Sequence, residues 1–160
     1  MAGRLRLAGL GAAAALLGCR VPPPDLSRDP AQLLEAVRGA QGRVARGFGT
    51  VKNPRFNTST YNSGIDIAAS FGASISAVAP GRVEYVNWID GYGKCVILNH
   101  GGGYYTLYAH ASEITVPVGK EVSAGETIGR VGDTGSTSGT VLHFEIRRGK
   151  EALNPLEWFR

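Results

Sequence analysis

Short apolar runs with a period of two, separated by glycine, recur along this chain and limit it to one kind of fold. The clearest is VLHFEI, Val141 to Ile146. As a strand it sets Val141, His143 and Glu145 on one face and Leu142, Phe144 and Ile146 on the other. The same reading predicts strands at Ile65–Ala68, Ser74–Ala77, Gly81–Asn87, Cys95–Asn99, Tyr104–His110, Thr127–Val131 and Val141–Arg147. Most of the 23 glycines fall between such runs, where tight turns need them. NHGGG, from Asn99, reads as a hairpin turn. A faint repeat, ISAVAPGRV from Ile75 and VSAGETIGRV from Val122, predicts two similar β-hairpin units packed face to face. The expectation is an all-β domain, a two-sheet sandwich built on a duplicated motif. At 160 residues there is room for little else.

The N-terminus reads differently. MAGRLRLAGLGAAAALLGC has a basic start, an apolar run from Leu7 to Leu17, then Gly18 and Cys19. That run is too short for a membrane-spanning helix, which takes about 20 residues, and suits a secretory signal. RVPPPDLSRDP then forms a stiff spacer. DPAQLLEAVRG predicts a short helix capped by Asp29 and ended by Gly39. The expected organisation is a signal peptide over 1–18, a linker with a short helix over 19–41, and the folded domain over 42–160.

Charge and cysteine content narrow the function. Arg4 and Arg6 of the leader supply two of the four net positive charges, and the remaining cations are scattered. No basic stripe interleaved with aromatics supports nucleic-acid binding. Besides Cys19 the only cysteine is Cys95, in the apolar run CVILN, which reads as a small buried hydrophobe.

Polar side chains interrupt otherwise apolar strands in a few places. Asn62 and Asp66 share a face if the strand containing NSGIDI extends back far enough. Thr106, Tyr108 and His110 share a face of YTLYAH, and Val141 and His143 share a face of VLHFE. TGSTSG supplies a small-residue loop at one rim. These segments, with SGIDIAASFGASISAVAPGRV, GYGKCVILNHGGGYYTLYAH, VPVGKEVSAGETIGRVGDTGSTSG, LHFEIR and NPLEWF, resemble in order and spacing the LytM/lysostaphin-type zinc endopeptidase domain, over roughly Gly42 to Phe159. That family cuts peptide cross-links of bacterial cell walls. Its zinc is held by the histidine and aspartate of His-x-x-x-Asp and by the second histidine of His-x-His. The first histidine of that pair, with one from a Tyr-Ala-His strand, orients and deprotonates water.

By this resemblance Asp66 and His143 match zinc ligands and His110 matches a catalytic histidine. Asn62 stands where the first ligand, the histidine of His-x-x-x-Asp, should be, and Val141 stands where the other catalytic histidine should be. A catalytic zinc usually has three protein ligands and a water, and a neutral amide oxygen is a poor zinc donor. Val141 can neither accept nor relay a proton. The resemblance therefore implies a degenerate domain with vestigial Asp66, His110 and His143, no catalytic residue and no bound cofactor. It is similar to the lipoprotein LytM-domain activators of cell-wall amidases, and the ending LLGC resembles a lipobox with Cys19 as the lipid anchor. The implied role is to bind and activate, or scaffold, a peptidoglycan hydrolase during wall remodelling and division. The implied place is the bacterial envelope, on the outer membrane facing the periplasm, with membrane contact through the lipid alone. The implied partner groove is lined by Asn62, Asp66, Tyr108, His110, Val141 and His143. Two alternatives stand beside it. One is a zinc metalloendopeptidase with an atypical ligand set. The other is a passive peptidoglycan-binding module that grips wall through Tyr92, Tyr104, Tyr105 and Tyr108.

Overall fold

A computed structural model of the protein describes residues 40–158. The leader, Cys19, the spacer and the expected helix after Asp29 lie outside the described residues, as does Phe159. The described chain is almost wholly strand. In order it runs β1 (Ala40–Arg46), β2 (Gly49–Asn53), β3 (Thr58–Asn62), β4 (Ile65–Ala69), β5 (Ser74–Ser76), β6 (Gly81–Ile89), β7 (Gly93–Gly101), β8 (Tyr104–Ile114), β9 (Glu121–Val122), β10 (Thr127–Val131), β11 (Val141–Arg148) and β12 (Glu151–Leu153). A single 3₁₀ turn, Pro155–Glu157, follows, capped by the Asn154 side chain accepting from the Leu156 N–H. No helix among the described residues is long and apolar enough to cross a membrane.

The main sheet orders its strands β1-β4-β11-β8-β7-β6-β9, while β10 bridges β8 and β5, and β12 edges β11. β2 and β3 form a separate two-stranded sheet. All seven strands predicted from alternation are present, because each carries apolar residues that are buried, most of them in one main core and Cys95, Leu107 and Ala109 in a second, smaller cluster. Ile65, Ile67, Leu98, Tyr108, Phe144 and Ile146 belong to the main core, each 0% exposed. At roughly 1.5–3 kcal/mol per fully buried large apolar side chain, this face dominates the favourable side of folding.

The two repeat segments are joined edge to edge by hydrogen bonds, reciprocally. Ile75 of the first pairs with Gly129 of the second, and Gly81 of the first pairs with Val122 of the second. Ala77 N–H donates to the Glu126 carbonyl, and Gly125 N–H donates to the Ala77 carbonyl. Their apolar residues Ile75, Val83, Val122 and Val131 enter the common core. Each unit thus lends an edge to the other, which differs from the face-to-face arrangement predicted above.

Two local departures from regular pairing position the site. The first is at Ser63–Gly64. β3 and β4 are distinct strands in different sheets, so Asn62 and Asp66 do not share one continuous strand. Gly64 lies so close to β11 that a Cβ there would sit 2.2 Å from the Phe144 carbonyl oxygen. Only glycine allows that approach.

The second departure is at His110, whose φ of 61° is left-handed, uncommon for a residue with a side chain. Before it, β8 pairs with β11, Ala109 opposite His143 and Tyr108 opposite Phe144. After it, β8 pairs with β10, Val131 opposite Ala111. Strict alternation would send His110 to the core face of Tyr108. The left-handed residue turns it to the face of His143 instead.

Candidate functional site

A cavity of about 290 Å³ opens where β1, β3 and β4 face the loops at Gly91–Tyr92 and Gly135–Ser138. Arg46, Tyr61, Asn62 and Ser63 line one side, and Asp66, His110 and His143 line its depth. The small-residue loop TGSTSG supplies the opposite rim through Gly135, Ser136, Thr137 and Ser138. Gly93 fixes this rim: a Cβ there would meet the Thr134 carbonyl oxygen at 2.1 Å.

Of the six side chains expected in a groove, four line this cavity: Asn62, Asp66, His110 and His143. Tyr108 does not. It is fully buried on the core face, its ring packs on Phe144, and its hydroxyl accepts from the Val78 N–H at 3.0 Å. The turn of the backbone at His110 separates the two, so sharing a strand did not mean sharing a face. Val141 lies outside the cavity as well. It is 4% exposed and pairs with Ala68 at the start of β11, whereas the cavity centres on the His143–Asp66 pair two residues further along. The four tyrosines proposed to grip wall do not form one surface. Tyr92 is at the cavity, Tyr104 stacks edge-on with Trp158, Tyr105 lies over a separate hollow, and Tyr108 is internal.

Asp66 and His143 sit directly opposite each other on β4 and β11. The His143 Nδ1 lies 2.6 Å from Asp66 Oδ1, and its Nε2 lies 3.0 Å from Glu145 Oε1. A carboxylate can only accept, so a ring bonded to two of them donates at both nitrogens and is an imidazolium. Burial alone pushes the His143 pKa down, but the hydrogen bonds and charges of Asp66 and Glu145 outweigh it and hold the pKa above the ordinary value.

Glu145 is the hub. Its side chain is 0% exposed. Oε1 accepts from Ser63 Oγ at 2.5 Å and from the Tyr92 hydroxyl at 2.9 Å, in addition to His143. Oε2 accepts from Arg147 Nε at 2.5 Å. Burial opposes its ionisation, yet His143, Arg147 and Ser63 together lower its pKa to about 2. Burial also raises the Tyr92 pKa, which keeps that phenol a donor. The sequence reading passed over Glu145, Ser63 and Arg147, although Glu145 stood on the predicted face of His143.

His110 is set apart from this ion network. Its ring lies 5.9 Å from that of His143, centre to centre, and its Nδ1 is 2.8 Å from the Thr134 carbonyl oxygen, to which it donates. Burial lowers its pKa, and the His143 charge lowers it further. Its surroundings thus push it in the opposite direction from His143. His100 is structural: its two ring nitrogens bridge the Pro80 carbonyl and Thr106 Oγ1, each at 2.7 Å.

These residues do not fit a catalytic zinc. The amide of Asn62 is committed: Nδ2 donates to the Gly47 carbonyl at 2.9 Å and Oδ1 faces the Gly64 N–H at 3.4 Å. Both ring nitrogens of His143 are bonded to carboxylates, so holding a metal there would first require one of these bonds to be given up. Among the described residues no group of three or more His, Cys, Asp or Glu side chains is arranged to hold a metal. The arrangement instead places a buried cation between two carboxylates, with every buried side-chain polar atom among the described residues paired.

The fold and a family comparison together define the class of protein. The model of peptidase family M23 matches residues 60–155, and the chain belongs to that family. Its relatives include a murein hydrolase activator, NlpD of Escherichia coli K12, 42% identical over 119 residues. That match covers 74% of this chain and 29% of the relative. Murein hydrolase activator EnvC of the same organism is 42% identical over 95 residues, covering 59% of this chain and 23% of EnvC. The chain thus spans less than a third of the length of these relatives. Among solved structures, a zinc-containing peptidase from Vibrio cholerae superposes with a TM-score of 0.67 at 27% identity, over 81% of this chain and 38% of that one.

Proposed function

We propose that this protein is a non-catalytic M23 domain that binds and activates a peptidoglycan hydrolase, a cell-wall amidase, in the bacterial envelope. One observation carries the reading. Asn62, which the resemblance puts in the place of a zinc ligand, is bonded to Gly47, and His143 bridges Asp66 and Glu145. The pocket keeps its shape while the donors for activating water are spent on internal bonds. Two relatives at 42% identity carry the name murein hydrolase activator, which supports the same reading. Lipidation of Cys19, removal of residues 1–18 and a place on the outer membrane facing the periplasm complete the proposal. The first two rest on the leader sequence, and the outer-membrane place rests on the resemblance to the lipoprotein activators.

The cavity suits a segment of a partner protein. Its rim is rich in hydroxyls, and a side chain of ordinary size fits the volume. The test is dye release from labelled cell wall by candidate amidases, with wild type and with Thr137→Trp. Thr137 is exposed on the rim, so tryptophan there fills the mouth and leaves the core untouched. Wild type should raise release at least about tenfold over the amidase alone, the effect of some 1.4 kcal/mol of coupling. Thr137→Trp should give little stimulation at an unchanged melting temperature. Equal stimulation by both proteins would place the partner elsewhere.

A further inference from the structure

The β2–β3 hairpin is an arm held on its own: its strands bond only to each other among the paired strands described. From the Gly49–Asn62 pair at its base to the Asn53–Thr58 pair near its tip it extends four residues, roughly 13 Å at the rise of a strand. Its base is a wall of the cavity, since Tyr61 and Asn62 line the pocket. Arg46 belongs to the same wall and donates to Thr60 Oγ1 at 2.6 Å. Lys52 lies on β2, and Arg55 at the tip covers the ring of Phe56, which is 67% exposed.

The charge of this region is one-sided. Between Ala40 and Ile65 there are four cations, Arg43, Arg46, Lys52 and Arg55, and no carboxylate. Across the cavity the adjoining loops carry the exposed acids Asp90 and Asp133 instead. An occupant leaving the pocket on the arm side passes along cations from base to tip, with Tyr61 and Phe56 as exposed aromatic surface. Like charges at such a surface reject the wrong partner, and opposite charges speed capture of the right one.

We infer that the arm is a docking surface for an acidic segment of the partner protein, whose carboxylates meet Arg46, Lys52 and Arg55 while a neighbouring side chain enters the cavity. This deepens the proposed function and rests on that reading for the identity of the partner. The cations are spread along the arm from the cavity wall to the tip, which favours an extended chain over a membrane touching the tip alone.

The test uses the full chain in two assays. In the first, a fluorescent peptide of alternating glutamate and leucine is titrated by anisotropy, beside its lysine–leucine counterpart and phosphatidylglycerol vesicles. Wild type should bind the glutamate peptide and not the lysine peptide. Lys52→Glu with Arg55→Glu should weaken that binding about tenfold, and Lys52→Arg with Arg55→Lys should preserve it. The effect should shrink as salt is raised. Failure to bind the glutamate peptide, binding within twofold for the reversed variant, or stronger binding to vesicles than to peptide overturns the inference. In the second assay the same variants are added to the amidase reaction. Wild-type stimulation with an undiminished reversed variant overturns the inference and leaves the proposed function standing. Absence of stimulation by wild type overturns the proposed function, and the peptide titration still decides the arm.

Discussion

Glu145→Ala should destabilise the domain by about 3–5 kcal/mol, the cost of breaking a buried ion pair by removing one partner. Four side chains converge on this carboxylate: His143, Ser63, Tyr92 and Arg147. Removing it leaves the His143 ring with Asp66 alone, and leaves the Ser63 and Tyr92 hydroxyls, 3.2 Å apart, with only each other in place of the shared Oε1. Glu145→Gln keeps the shape and should cost less, since the amide still accepts on one side. Urea unfolding of the three proteins measures both values. A Glu145→Ala midpoint corresponding to less than 1 kcal/mol would mean that the network is not a support of the fold.

The second large effect is on the pH dependence of stability, and the signs differ within the network. Glu145 has a folded pKa lowered to about 2, so its contribution is present above the unfolded value near 4.5 and is lost as pH falls through about 2. A shift of that size corresponds to roughly 3 kcal/mol. His143 has a raised folded pKa, so its contribution is full below 6.5 and disappears as pH rises through the folded value. His100 and His110 act oppositely: with lowered pKa values they favour the folded state above 6.5 and lose that on acidification. The His143 part is isolated by comparing wild type with His143→Gln. The difference in melting temperature should be largest near pH 6 and narrow steadily toward pH 9. A difference that widens with rising pH would mean that His143 is neutral in the fold.

How much of this was legible beforehand follows from where burial writes a pattern into sequence. The seven predicted strands each bury apolar side chains, in the main core or in the smaller cluster around Leu107, so their pattern was visible. β3 was not, because all but Asn62 of its residues are exposed and polarity there carries no period. β9 has only two residues, too few for any period. At the site, Asp66, His143 and His110 were found by motif and meet at one cavity. Alternation failed at Tyr108 because a single left-handed residue, His110, reverses the faces of β8 beyond it. Glu145 was overlooked for a different reason: beside apolar neighbours its charge reads as a solvent-facing position, whereas its four donors pay for complete burial.

We propose that the pocket has exchanged water activation for partner binding. Dye release by the purified protein alone, with added zinc and with chelator, tests it most directly. No release above buffer is expected in either condition, while the same preparation stimulates a cell-wall amidase. Release by the protein alone that rises with zinc and falls with chelator would contradict it.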